Sequence, residues 1–150
     1  MVELNEVTEQ NWLQVVRLSV SDAQRAFVAP AVGILARAYV YRNCRARALA
    51  VEAAGKPVGL LLVRDLDEEP ACYDLQQFFI DAAYQGQGYG KAALEAVLKM
   101  LSEERKYPCV EVCVNRADIP ALHVYETAGF QDTGYIDPEL SECRNLRYTF

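Results

Sequence analysis

The chain is 150 residues long and carries fifteen Lys and Arg against twenty-one Asp and Glu, a net charge of −6. That length suits one ordinary domain with one sizeable core, and the acidic balance excludes a general nucleic-acid binder, which shows a basic footprint. A negative field is compatible with a cationic substrate, whose local concentration it would raise.

Val2, Leu4 and Val7 open a first strand. Thr8 is an N-cap for a helix over residues 9–18, with Trp12, Leu13 and Val16 inward and Val15 a further candidate. Ser21-Asp22 starts a second short helix, Pro30 interrupts it, and residues 32–41 resume helical spacing through Leu35, Ala36 and Tyr39. Two strand-like runs, 47–53 and 58–65, are joined by Ala54-Gly55-Lys56-Pro57, punctuation that reads as a hairpin turn. The acidic loop 65–69 reads as a solvated surface, with the lining of a polyamine channel as the alternative.

A strand over 71–80 follows, then Gly86, Gly88 and Gly90 at alternate positions, then a helix whose Leu94, Val97, Leu98 and Leu101 form one buried stripe. Residues 109–114 form the next strand, and the strand–helix–strand crossover implies parallel pairing there. Cys109 and Cys113 face one side of it, but no other Cys and not the single His complete a zinc set, so no metal is expected. Five cysteines without a CxxC pair suit a reduced cytoplasm. Asp118 caps a last helix with Pro120 in its first turn, and Gly129 ends it with Phe130 packing back. Strands over 131–136 and 144–150 close the chain. With no signal segment and no apolar run of spanning length, the expectation is one soluble, cytoplasmic α/β domain over 1–150, without membrane or nucleic-acid partners.

A glycine turn feeding a helix N-terminus presents backbone N–H groups at the positive end of the helix dipole, which suits a phosphate or pyrophosphate. Register decides which. The dinucleotide fingerprint G-x-G-x-x-G fails because the third glycine arrives one residue early, at Gly90. The P-loop fails because Gln85 replaces its first glycine and Ala92 its hydroxyl.

Gln85-Gly86-Gln87-Gly88-Tyr89-Gly90 does satisfy Gln/Arg-x-x-Gly-x-Gly/Ala, and so resembles the acetyl-coenzyme A loop of the GNAT N-acetyltransferases. Residues 118–130, Asp-Ile-Pro-Ala-Leu-His-Val-Tyr-Glu-Thr-Ala-Gly-Phe, resemble that superfamily's Asn-x-x-Ala-x-x-Leu/Val-Tyr-x-x-x-Gly-Phe signature at every fixed position but the first. Together the two motifs cover about residues 71–130. Phe78-Phe79-Ile80-Asp81 before Tyr84-Gln85-Gly86, and Leu18-Ser19-Val20-Ser21 near the start, are similar to the bacterial diamine, spermine and spermidine acetyltransferases. Gln76 and Gln77 stand where those relatives often carry Asp and Arg, a departure that bears on the substrate.

The resemblance implies a mixed, mostly antiparallel sheet of six to seven strands with about four helices and two central parallel strands that splay apart. It implies acetyl-coenzyme A as cosubstrate, its pantetheine arm along the backbone of Phe78, Phe79 and Ile80, and its pyrophosphate on the amides of Gln85, Gly86, Gln87, Gly88, Tyr89, Gly90 and Lys91. Asp118 would accept from a pantetheine amide, with Asn115 able to supply the donor that Asp lacks. Tyr125 would be the general acid for the leaving thiolate. The acceptor would be a small primary amine, polyamines first; acetylation of a protein amine or an aminoglycoside, and a non-catalytic acyl-coenzyme A sensor, are the alternatives. A homodimer is compatible with the family. The base stays open among Asp74, Glu126 and a water chain, while His123, two residues from Tyr125, points away from it.

Overall fold

Apolar runs interrupted by one tight turn make a long antiparallel meander at the centre of the chain. The computed structural model describes all 150 residues. Its meander is β2 (Arg47–Ala53), β3 (Lys56–Leu66) and β4 (Cys72–Ile80). The turn between β2 and β3 is Ala54-Gly55, with φ of 51° and 75°, the left-handed pair a two-residue hairpin of matching twist requires. β1 (Glu3–Glu6) adds to the free edge of β2, while β5 (Cys109–Asn115), β7 (Cys143–Thr149) and β6 (Gln131–Asp132) extend the other side. The order is β1-β2-β3-β4-β5-β7-β6, and only β4 and β5 run parallel.

Both faces of this sheet are covered, which explains why β3 is apolar almost without alternation. Leu61 and Val63 pack toward α3 (Tyr89–Glu104) and α4 (Ile119–Thr127), joined by Leu94, Val97, Leu98 and Leu101 as the helical stripe anticipates. Leu60 and Leu62 pack toward α1 (Trp12–Val15) and α2 (Ala31–Val40), with Val15 and Ile34 fully buried. No helix is long and apolar enough to cross a membrane.

The first forty residues depart most from the sequence expectation. In place of a helix over 9–18 there is one turn, and Trp12 and Leu13 are 45% and 55% exposed while Val15 and Leu18 are buried. Local side-chain bonds compete with the helix: Thr8 Oγ1 accepts from the Gln10 N–H at 3.2 Å, and Asn11 Oδ1 accepts from the Thr8 N–H at 2.8 Å. In α2 the inward stripe is Ala31, Ile34, Leu35 and Ala38, so Ala36 and Tyr39 face out. The Arg42 guanidinium lies over the Tyr39 ring at 4.1 Å. At the far end, the strand expected over 131–136 stops after Asp132, because Gly134 turns left-handed (φ 78°) and its N–H donates to Asp132 Oδ1 at 2.8 Å.

Asp65 is neither solvated nor near a channel. It is 3% exposed, accepting from Arg45 Nε at 3.0 Å, Arg45 Nη2 at 3.1 Å and Lys106 Nζ at 2.6 Å. Glu104 at the end of α3 takes Arg45 as well, and Arg47 at 3.2 Å. This cluster pins the start of β2, the end of β3 and the end of α3 together. Burial works against the Asp65 carboxylate, but Arg45 and Lys106 outweigh it and hold its pKa below the ordinary value. A depressed folded pKa contributes stability above the unfolded value that is lost as pH falls through the folded one. Asp65→Asn is therefore expected to lose about 2 kcal/mol in denaturant titrations at neutral pH, discounted because both cations stay partly in water. The gap between wild type and variant should shrink below about pH 4.

Candidate active site

The parallel pair β4–β5 is joined at only Tyr73↔Val110 and Asp74↔Glu111, after which the strands separate. The register between β3 and β4 passes from Leu62↔Gln77 to Val63↔Leu75, leaving Gln76 as an extra residue on β4. Such a bulge bends its strand, and here it coincides with the point where β5 is left behind. The resulting cleft has a volume of about 410 Å³ and runs between residues 75–80 on one wall and 112–115 on the other.

Backbone polarity along that wall follows from one hydrogen bond. The Asp81 N–H donates to the Val58 carbonyl at 2.8 Å, so the period of two directs Phe79 toward β3 and turns the N–H and C=O groups of Phe78 and Ile80 into the gap. Ile80 C=O accepts from Gln85 Nε2 at 2.8 Å; the others are available to an added strand-like ligand. Gly59 lets β3 lie close beneath, since a Cβ there would stand 2.6 Å from the Phe79 carbonyl oxygen and 2.7 Å from Ile80 Cδ1.

At the open end, Gly86 and Gly88 take φ of 77° and 85°, a conformation that costs other residues about 1–2 kcal/mol. Gly88 is the N-cap of α3 and has no side chain to engage the first-turn amides, so the N–H groups of Tyr89, Gly90 and Lys91 remain for an anion. Gln85 is used differently: besides Ile80, its carboxamide exchanges hydrogen bonds with Gln24 at 2.9 and 3.2 Å. Of the residues anticipated around the cofactor, Phe78, Phe79, Ile80, Gln85, Gly86, Gly88, Tyr89, Gly90, Lys91 and Asp118 all line the cleft, while Gln87 projects outward from the loop.

Tyr125 lines the same cleft from α4, held by an edge-on contact to Phe130 at 5.3 Å. Its hydroxyl has no hydrogen-bond partner in the protein; burial, with the Asp118 charge adding, pushes its pKa well above the ordinary value. Asp118 caps α4 through the Ala121 N–H at 3.4 Å, and burial raises its own carboxyl. Asn115 lines the cleft, its Oδ1 accepting from the Ala117 N–H at 2.9 Å.

Residues 12–130 match the family described as Acetyltransferase (GNAT) family. The chain belongs to the GNAT acetyltransferases. It is 28% identical over 150 residues to the spermine/spermidine N(1)-acetyltransferase of Bacillus subtilis (strain 168), with 91% of each chain covered. The aminoglycoside acetyltransferase AAC(6')-Ib, solved in complex with coenzyme A, superposes with a TM-score of 0.80 at 17% identity, covering 99% of this chain and 95% of that one. Spermidine N-acetyltransferase from Vibrio cholerae, in complex with coenzyme A and spermine, gives 0.75 at 16% identity, covering 99% and 95%. The seven-stranded, mostly antiparallel sheet with its splayed parallel pair is the GNAT fold, and family membership makes the protein an acyltransferase.

None of the side chains considered as base lines the GNAT cleft. Asp74 pairs with Arg64 at 2.9 Å where β4 and β5 are still joined. Glu126 pairs with Arg144 at 3.2 Å, and His123 is exposed in a groove between α3 and α4. No group of three or more His, Cys, Asp or Glu is placed to hold a metal ion.

What sequence reasoning missed is the wall formed by residues 19–29. Asp81 Oδ2 accepts from the Ser19 N–H at 2.9 Å, Gln77 Oε1 accepts from the Ala29 N–H at 3.0 Å, and Gln24 meets Gln85. These tethers bring Val20, Gln24, Phe27 and Val28 to the cleft. Signals existed in the resemblance of Leu18-Ser19-Val20-Ser21 and in Asp81, whose other oxygen caps the turn after β4 through the Ala83 N–H at 2.9 Å; the bond of Asp81 to a residue 62 positions away has no local trace.

Gly59→Ala tests the strand packing under the site. Its Cβ must displace Phe79 and Ile80, so the variant is expected to lose about 1–3 kcal/mol of stability and to bind coenzyme A more weakly by calorimetry, while Gly55→Ala, in the distant hairpin turn, should leave coenzyme A binding intact.

Proposed function

We propose that the protein transfers the acetyl group of acetyl-coenzyme A to a primary amine of a small molecule by direct attack in a ternary complex, with polyamines and short diamines as first candidates. The observation that carries this reading is the continuity of the cleft, from free amides at the start of α3, along Phe78 and Ile80, to the unpartnered hydroxyl of Tyr125. Polyamines come first because the relatives at 28% identity are spermine and spermidine acetyltransferases.

Acetyl-coenzyme A supplies an activated thioester. The amides of Gly86, Gly88, Tyr89, Gly90 and Lys91 hold the pyrophosphate, with Gln85 fixing the loop against Ile80 and Gln87 contributing through its backbone alone. Phe78 and Ile80 align the pantetheine arm by strand-like hydrogen bonds, over the packed ring of Phe79. Asp118 and Asn115 supply an acceptor and a donor on the opposite wall. Tyr125 donates its proton to the departing sulfur, the proton that the attacking nitrogen sheds as the amide forms restores the phenol, and its raised pKa keeps that proton in place at neutral pH. The acceptor loses its proton to water before attack; the one carboxylate of the lining, Asp118, is engaged as the cap of α4.

Tyr125→Phe is expected to lower kcat about 100-fold with little change in coenzyme A affinity. Wild type should show kcat/KM rising with pH as the amine deprotonates, with no descending limb below about pH 10. Thiol release measured across spermidine, spermine, short diamines, peptides and aminoglycosides tests the reaction itself. Tight coenzyme A binding with no turnover on any amine would leave an acyl-coenzyme A sensor, and full activity of Tyr125→Phe across the pH range would remove the general acid.

A further inference from the structure

The acceptor end of the cleft is uncharged. Across the whole lining there is one carboxylate, Asp118, on the β5–α4 wall, and one cation, Lys91, in the first turn of α3. The wall that faces the bulge is Val20, Phe27 and Val28 with the carboxamide of Gln24. The acidic loop begun by Asp65 lies at the other end of β4, opposite Tyr73 in the register, and Asp65 is taken by Arg45 and Lys106. Asp74 is taken by Arg64. A second ammonium entering the cleft would therefore meet no carboxylate in the lining at this end, the charges of Asp74 and Asp137 reaching it only from behind Cys113.

One polar group there has no partner. Gln76 is the extra residue of the bulge and lines the cleft where β4 and β5 part. Its Oε1 is buried without a hydrogen bond, whereas Oε1 of the neighbouring Gln77 is taken by the Ala29 N–H. A buried, unpaired amide oxygen is unfavourable and native proteins rarely keep one. It becomes favourable when a ligand donates to it.

Resting on the acetyl-transfer reading above, we infer that the acceptor site recognises one neutral amine carried on an apolar stem, with the Gln76 carboxamide as its polar contact and no provision for a second positive charge. The amine arrives as its free base, because desolvation against Val20, Phe27 and Val28 disfavours the ammonium form. One of its N–H groups donates to Gln76 Oε1, which leaves the nitrogen lone pair for the acetyl carbon. The stem lies on the apolar wall, and a polyamine binds by one end with its remaining ammonium groups in solvent.

The test compares alkylamines with diamines of equal length, monitoring coenzyme A release at matched free-base concentrations. Hexylamine is expected to match or exceed hexamethylenediamine in kcat/KM, with a gain of about fourfold per methylene from propylamine to hexylamine. Gln76→Leu should lower kcat/KM for both amines about tenfold while its calorimetric coenzyme A affinity stays at the wild-type value and its unfolding midpoint is equal or higher, the unpaired oxygen being gone. Gln76→Glu should shift preference toward the diamine. A wild-type preference for the diamine of tenfold or more, or an unaltered Gln76→Leu, overturns the inference. If no amine is acetylated, spermidine included, the transfer reading falls separately. Calorimetric binding of hexylamine to the coenzyme A complex then decides recognition, upheld if Gln76→Leu weakens it and overturned if it does not.

Discussion

Everything at the site depends on β4 having one residue more than β3 can match. Parallel pairing with β5 would otherwise continue from Asp74 to Ile80 and close the sheet. The bulge at Gln76 ends that pairing after two registers, and the backbone of Phe78 and Ile80 is left without a strand partner on that side, only the Ile80 carbonyl being taken by Gln85. Each unpaired buried polar group costs about 1–3 kcal/mol, so the gap persists only because the structure on either side of it is firmly held.

That support is divided between the two ends of β4. At the closed end, Tyr73 stands edge-on to Tyr107 at 5.0 Å, and Asp65 and Glu104 gather Arg45, Arg47 and Lys106. At the open end, Asp81 and Gln85 hold both the strand terminus and the segment 19–29. The same two side chains thus touch the wall proposed for the cofactor and the wall proposed for the acceptor. A ligand that fixes Ile80 and the glycine loop also fixes Ser19 and Gln24, so the two halves of the site are mechanically one.

The legible part of this design was local. Gly86 and Gly88 announced their turn because only glycine takes those angles cheaply, and the stripe from Leu94 to Leu101 fixed the face of α3. Asp118, Pro120 and Gly129 bounded α4 and thereby placed Tyr125. Illegible were the features that arise between distant segments. Trp12 and Leu13 carry the spacing of a buried helix, yet side-chain bonds of Thr8 and Asn11 interrupt it and the chain turns to follow β4. Gln76 and Gln77 are identical in sequence terms. One becomes a tether and the other an unpartnered bulge residue, and only the register with β3 separates them.

Burial also resolves the absence of an obvious base. Acetyl transfer to an amine needs a proton held ready on one side and a proton already gone on the other. Desolvation disfavours charge in both cases: it keeps the Tyr125 phenol protonated, and it favours the neutral amine over the ammonium. The one carboxylate in the lining, Asp118, is engaged as the cap of α4, and burial raises its pKa. Asp74 and Glu126 are bound to Arg64 and Arg144 outside the cleft. In a cleft walled by Val20, Phe27 and Val28, the proposed acid and the proposed free-base acceptor would both be favoured by the same physical effect.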